Sequence, residues 1–413
     1  VDPLGGLEDL RERLKSSLWF LPGVMVLATV GLAVAITIVD RWVEGAAQVE
    51  LVFGGSADAG RSVLSVIAGS MVSLTALVFS ILIVVFQLTS SQFTPRALRT
   101  FLQDRVSKIT LGAFLATFAY SLTVMRVTRG ANGQLDEFVP RISISLAFLF
   151  SLATMGVFVY YIHHVSLSIR VSSILERIHA DAASLIERIL TEGEERLETA
   201  SPANPPSMEA VLNSEPRTVR SRGSGYITSV RSRALLSEAK EKGVFVRLVG
   251  PVGTFISLGR PLLEVWPAET EVDEHALLGA VHLGSERTTE QDLGYGFRQL
   301  ADIAVRALSP GVNDPTPASM AIDRIEDLLL RLDRMVIVDD VRRDEEGWPR
   351  LRVPRQSWES VLHEGLHEAF YYGRDSPQVA ERLRALVAVL REEVSNERME
   401  PVGLLLRRLD GAL

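Results

Sequence analysis

"VLSVIAGSMVSLTALVFSILIVVFQL", Val63 to Leu88, runs for 26 residues without one ionisable side chain. A helix needs about 20 apolar residues to cross a hydrocarbon core roughly 30 Å thick, so the run reads as a membrane span. Three other stretches share its character: Ser17–Val39, Ile109–Met125 and Ile142–Ile162. The fold class expected is an α-helical membrane domain of four transmembrane helices over residues 1–162. A cytoplasmic α+β region with a small β-barrel- or sandwich-like subdomain should follow it. None of the four runs contains Asp, Glu, Lys, Arg or His, which argues against a proton relay or a charge-coupled pump.

The second run differs from the others in how its small and polar residues are spaced. Ser62, Ser65, Gly69, Ser73, Ala76, Ser80 and Gln87 recur at steps of three, four and seven, and so share one helical face. Phe79, Phe86 and Phe93 form a second row every seven residues. Small residues let membrane helices approach closely, so a packing seam is one reading of this face. In the other, Ser65, Gly69, Ser73, Ala76, Ser80 and Gln87 line a water-filled path. Phe79 and Phe86 are then its hydrophobic gate, and Ser91, Gln92, Arg96 and Arg99 its inner mouth. One helix cannot enclose a pore, so such a path requires a homo-oligomer with this helix repeated about the symmetry axis.

Charge is unevenly distributed along the 413 residues. Up to Ile162 there are 12 Lys/Arg against 11 Asp/Glu, and beyond it 31 against 40. The acidic remainder lacks the basic stripe of a nucleic-acid surface, so no nucleic-acid partner is expected. Cysteine is absent, which removes disulfides, thiolate metal sites and a cysteine nucleophile. Arg11, Arg13 and Lys15 before the first span, with Arg96, Arg99, Arg105 and Lys108 between the second and third, outnumber the five Arg of the opposite loops. That bias places both termini in the cytoplasm of a multi-pass protein of the bacterial inner membrane.

Past the fourth span, residues 163–198 continue the helical pattern as a linking helix, until the Pro-rich "TASPANPPS" (Thr199–Ser207) ends it. Residues 208–270 alternate β-rich runs with Gly and Pro, as in a small β subdomain, and "GTFISLGRPLLEV" (Gly253–Val265) resembles the strand-turn-strand of the biotinyl/lipoyl-like folds. No Lys stands at a hairpin tip, so the resemblance implies no swinging-arm cofactor. Residues 271–413 read as α+β: a strand His275–Leu283, a helix from Thr289 to Leu308 and another from Pro315 to Leu332, strands at "RMVIVD" and "LRVPR", and closing helices. Between the two long helices, "ALSPGVNDPTPA" (Ala307–Ala318) makes a corner with Gly311 in the turn and Asp314 as helix cap. Asn313 and Asp314 sit there as an interface or ligand loop.

"HEGLH" (His363–His367) matches the zinc-peptidase pattern H-E-x-x-H, but nothing nearby supplies a third ligand. A solvated helix face is the plainer reading, and no metal, cofactor or catalytic residue is expected. His163-His164 falls at the inner membrane surface, and Gly294 and Gly296 follow no strand that would make them a phosphate loop.

"VVFQLTSSQFTPR", "ERTTEQD" and "GFRQLADIAVRALSPGVNDP", taken with the four spans, resemble the bacterial predicted-membrane-protein family called domain of unknown function 2254. The stretches that carry the likeness are Gln87–Arg96, Arg287–Asp292 and Ala307–Pro315. The resemblance implies an integral membrane protein with a cytoplasmic domain and supplies no activity. From the residues themselves, the function expected is a homo-oligomeric ion channel gated by its cytoplasmic domain, with the lipid bilayer, its own copies and inorganic ions as partners. A membrane-anchored ligand sensor or scaffold is the alternative, and a zinc metallopeptidase the third reading.

Overall fold

The computed structural model describes residues 19–43, 53–92, 104–130, 137–168, 170–198, 212, 214–334 and 340–409. At 43, 88–92, 192–198, 397, 405–406 and 408–409 it describes the backbone alone. The chain divides into two compact units, Val1–Arg170 and Val171–Leu413.

The first unit is built from α1 (Phe20–Val43), α2 (Ala57–Gln92), α3 (Arg105–Val127) and α4 (Arg141–Ser168). All four are long and apolar enough to cross a membrane. α2, α3 and α4 overrun the expected spans at both ends and α1 at its C-terminal end, because a helix continues past the hydrocarbon wherever polar residues can still satisfy its ends. In α2 the 36 residues reach about 54 Å, well beyond a bilayer core. The least apolar helix, α3, lies at the centre and packs on the other three. Its Phe114, Tyr120 and Val124 join Leu64, Met71, Val78, Ile144 and Tyr161 in one core. Buried hydroxyls there bond back along their own helices, Thr110 to the Val106 carbonyl at 2.8 Å and Ser121 to that of Thr117 at 2.9 Å. Hydrocarbon offers no other partner. At Gly112 a Cβ would strike the Met25 side chain and lie 3.3 Å from Pro22 Cα, so glycine sets the α1–α3 approach.

The linking helix expected over 163–198 is two helices. α4 stops at Ser168 and α5 (Val171–Glu198) begins a new one, which belongs to the second unit. Apolar residues at helical spacing continue through the junction, and periodicity alone cannot reveal a break that preserves phase. α5 buries Ile174, Leu175, Ile178, Ala182 and Ile186, against α8 (Leu293–Ala307) and α9 (Pro315–Asp333).

Strands β1 (Arg217–Arg220), β2 (Gly225–Val230), β3 (Phe245–Leu248), β4 (Phe255–Ile256), β5 (Pro261–Trp266), β6 (Val281–Gly284), β7 (Asp340–Arg343) and β8 (Pro349–Val353) form two open sheets. One has the order β1-β5-β3-β8-β7 and the other β4-β2-β6. All neighbours are antiparallel except β3 and β8. Val219, Val246, Leu248, Leu263 and Val265 share a core with Leu277, Val281, Leu351 and Val353. The boundary expected at residue 270 therefore runs through this core: β8 pairs with β3 across roughly a hundred residues of chain, a pairing that no local pattern encodes.

One element differs in kind from the sequence expectation. The strand expected over His275–Leu283 is helix α7 (Glu274–Gly279) followed by β6. Asp273 caps α7, accepting from the His275 and Ala276 amides at 2.9 and 3.1 Å. The Ala307–Ala318 corner does hold Asp314 as cap of α9, accepting from Thr316 N at 3.0 Å. Asn313 rather than Gly311 takes the left-handed conformation, at φ 47°, one of few residue types that tolerate it. The remaining elements are α6 (Ser232–Lys242), α10 (Trp358–Leu362), a π-helical turn at His363–His367, α11 (Glu368–Gly373), α12 (Pro377–Glu393) and α13 (Met399–Leu409).

Candidate functional site

Ser65, Gly69, Ser73, Ala76, Ser80 and Gln87 are all exposed on the outside of the four-helix unit. The opposite face of α2 supplies Leu64, Ile67, Met71, Val78, Leu82 and Val85 to the core. No atom of another described element comes within 4 Å of where a Gly69 Cβ would stand. The small-residue seam is therefore not what packs the four-helix unit together. Large apolar side chains flank it outward, among them Val66, Val72, Leu77, Ile83 and Val84. Ser62, Ser70 and Ser73 donate to the carbonyls one turn back, so their hydroxyl oxygens face outward as acceptors.

Phe79 and Phe86 lie elsewhere. At about 100° per residue they sit a quarter turn from the seam, half-buried against the core. The Phe79 ring meets Trp19 with centroids 5.9 Å apart. Ser91 and Gln92 extend α2 in backbone only, and Arg96 and Arg99 lie outside the described residues. Asn313 and Asp314 are exposed at the α8–α9 corner of the second unit.

In the second unit the chain assembles a charge cluster that the sequence shows only in pieces. Arg287 grips Asp292 with two bonds, Nε–Oδ2 at 2.6 Å and Nη2–Oδ1 at 2.8 Å, and reaches Glu364 through Nη1 at 2.9 Å. The Asp292 side chain is 1% exposed and that of Arg287 15%. Asp292 also caps α8, accepting from Tyr295 N at 3.2 Å. Gln356 accepts from the Gly294 amide. A Cβ on Gly294 would sit 2.7 Å from Gln356 Oε1 and 3.0 Å from Glu364 Oε2, so glycine is required for the carboxylate to come this close. Burial pulls the Arg287 guanidinium down, but the Asp292 and Glu364 carboxylates outweigh it and hold the charge on more firmly than usual. Next along α8, Arg298 pairs with Glu368 at 2.8 Å and Asp302 at 2.7 Å.

This cluster takes in the glutamate of "HEGLH". Glu364, the base that a peptidase would need, is held in the ion pair with Arg287. The His363 and His367 rings stack on each other at 4.4 Å, and among the described residues no group of His, Cys, Asp and Glu has the arrangement of a metal site. The segment is not a solvated α-helical face either. It is a π-helical turn with Gly365 and Leu366 buried, and Gly365 admits Phe297 to 3.3 Å of where its Cβ would be.

The model of a family described as "Predicted membrane protein (DUF2254)" matches residues 15–389. The chain belongs to this family. Among similar proteins are an uncharacterized protein of Mycobacterium bovis and one of Mycobacterium tuberculosis, each 29% identical over 386 residues, or 92% of this chain and 72% of the relative. No solved structure matches it. Two of the three stretches that carry the resemblance of this DUF2254 chain have physical roles, and most of the third, Gln87–Arg96, lies outside the described side chains. Arg287–Asp292 forms the buried clamp at the start of α8, and Ala307–Pro315 the capped corner at its end.

Sequence reasoning missed two polar contacts at the ends of the membrane helices. Asp40, 7% exposed, caps α4 by accepting from Ile142 N at 2.9 Å, Ser143 N at 3.0 Å and Ser143 Oγ at 2.6 Å. It lies one residue beyond the first apolar run, and only the fold shows that the helix carries on to include it. At the opposite end Asp104 caps α3, accepting from Ser107 N at 3.0 Å, and meets His164 Nε2 of α4 at 3.2 Å. Burial pushes the Asp104 carboxyl up, but the Ser107 hydroxyl and amide and the nearby His164 more than offset it and hold it below its ordinary range. Asp40, His163, His164 and a buried Lys108 thus stand within the full helices, whereas the apolar runs contain none.

Proposed function

We propose that this protein is a homo-oligomeric ion channel of the bacterial inner membrane, with both termini cytoplasmic and α2 of each copy lining the path. One observation carries the reading: the small, hydroxyl-bearing face of α2 is turned out of its own four-helix unit. A face of Ser65, Gly69, Ser73, Ala76 and Ser80 is poorly suited to lipid tails. Around a symmetry axis it brings helices close together, with Gln87 toward the mouth. Phe79 and Phe86, a quarter turn away, enter the path when α2 rotates about its own axis, which makes rotation the gating motion and dewetting the barrier. The second unit acts on the pore through α4, across the break between Ser168 and Val171. Arg96 and Arg99 at the inner mouth favour anions, and the acidic cytoplasmic unit favours cations; reversal potentials under a salt gradient discriminate between them.

Reconstituted in a planar bilayer, the full chain carries current, and Ser80→Leu or Gln87→Leu changes its conductance. Silence across salts, voltages and pH overturns conduction and leaves the outward seam as an oligomer contact in a membrane-anchored sensor or scaffold.

A further inference from the structure

The turn Ser257–Arg260, between β4 and β5, is tied to the segment Arg220–Ser224 by four hydrogen bonds. Gly259 N donates to the Ser221 carbonyl and Ser221 N to that of Arg260, each at 2.9 Å. Leu258 N donates to Ser224 Oγ and Arg220 Nη1 to the Gly259 carbonyl, also each at 2.9 Å. Gly259, at φ 76°, makes the turn this tight. The result is one rigid patch that sets Arg220, Arg222 and Arg260, all exposed, around Leu258 and Phe255. Leu258 is 67% exposed and Phe255 53%, with Tyr226 packed edge-on to the Phe255 ring at 5.1 Å. Pro216–Ser237 and Gly243–Leu263 together hold seven Arg and no Asp or Glu, within the acid-rich half of the chain.

We propose that this patch docks on the anionic lipid surface of the membrane in which the chain is anchored. Basic side chains ringing a projecting aromatic and a leucine match what an anionic interface recognises: headgroup charge outside, and a shallow apolar layer beneath. A patch of six residues is small beside the 20–30 residues a side of a stable protein interface, roughly 800 Å² per partner, which disfavours a second copy as occupant. Against a bilayer little area is needed, because the membrane helices already hold the unit near its own leaflet and supply the effective concentration. The proposal holds whether or not the protein conducts ions.

The test uses the full chain, which has no native cysteine. Leu258→Cys is labelled with an environment-sensitive fluorophore and reconstituted in phosphatidylcholine vesicles with or without phosphatidylglycerol. The label emits to the blue, and is quenched by a lipid-borne quencher, only in the anionic vesicles. High salt or Arg222→Glu with Arg260→Glu reverses this, by about fivefold in the docked-to-free ratio for each charge removed. Those two arginines are named because Arg220 also braces the turn; Phe255→Ser in place of the charge reversals weakens docking by a second route. A label at Thr316 on the α9 end stays water-exposed throughout. Equal, water-like emission from Leu258→Cys in both lipids overturns the proposal. So does shielding that is independent of lipid and rises with protein concentration in detergent, which identifies a contact between copies instead.

Discussion

Replacing Arg287 by methionine tests whether the buried cluster holds the second unit together. Methionine keeps most of the length and none of the charge, so Asp292 and Glu364 lose a common partner while the packing volume is nearly conserved. Breaking a buried pair on one side costs about 3–5 kcal/mol. Two features of the structure place this case at the lower end. Asp292 keeps the Tyr295 amide as a donor, and the Glu364 side chain, 21% exposed, can turn toward water. The expected loss is therefore about 3 kcal/mol, which for a unit of this size lowers the melting temperature by about 6–12 °C. Trp266, Trp348 and Trp358 belong to this unit and Trp19 and Trp42 to the other. Intrinsic fluorescence in detergent, with tryptophan-to-phenylalanine variants to separate the signals, follows the correct transition. Arg287→Met, Glu364→Gln and the double variant complete a cycle with a coupling energy of about 1–2 kcal/mol. A loss below about 1 kcal/mol for Arg287→Met, or strictly additive single losses, would refute the clamp.

Two other predictions follow from the same kind of accounting. Asp40→Ala leaves the Ile142 and Ser143 amides without their acceptor at the start of α4 and lowers stability by about 2–3 kcal/mol, read from Trp19 and Trp42 emission, with Asp40→Asn in between; wild-type unfolding of Asp40→Ala would discard the cap. Glu368 is held below its ordinary 4.5, first by its bond from Arg298 against the upward pull of burial. Because the folded value is depressed, its contribution is complete above about pH 4.5 and is lost as the pH falls through the folded value. Urea midpoints of the second unit should be level between about pH 7 and 5 and drop below about pH 4, less steeply in Glu368→Gln; an unchanged slope in that variant removes Glu368 as a cause.

How much was legible in advance varies with the range of the interaction. The four membrane helices, the α8–α9 corner and the cap at Asp314 depend on residues within a few positions of one another, and their signals lie in consecutive sequence. The π-helical turn at His363–His367 shows the opposite case. Its five residues resemble a metal motif, and what meets the Glu364 carboxylate is an arginine 77 positions away.

By itself, the sequence determined that this chain crosses a membrane, that an acidic α+β region follows, and that α2 carries one face of small and polar residues. Hydrophobic length and helical spacing are enough for these, because each is a property of a single segment and its solvent. Only the tertiary structure decided which way that face turns. The orientation of α2 is set by Leu64, Met71, Val78 and Leu82 packing into a core organised by α3. Sidedness is a property of the packed unit, and no segment contains it alone. The same reason placed β8 beside β3, brought Glu364 to Arg287, and put Asp40 at the start of α4.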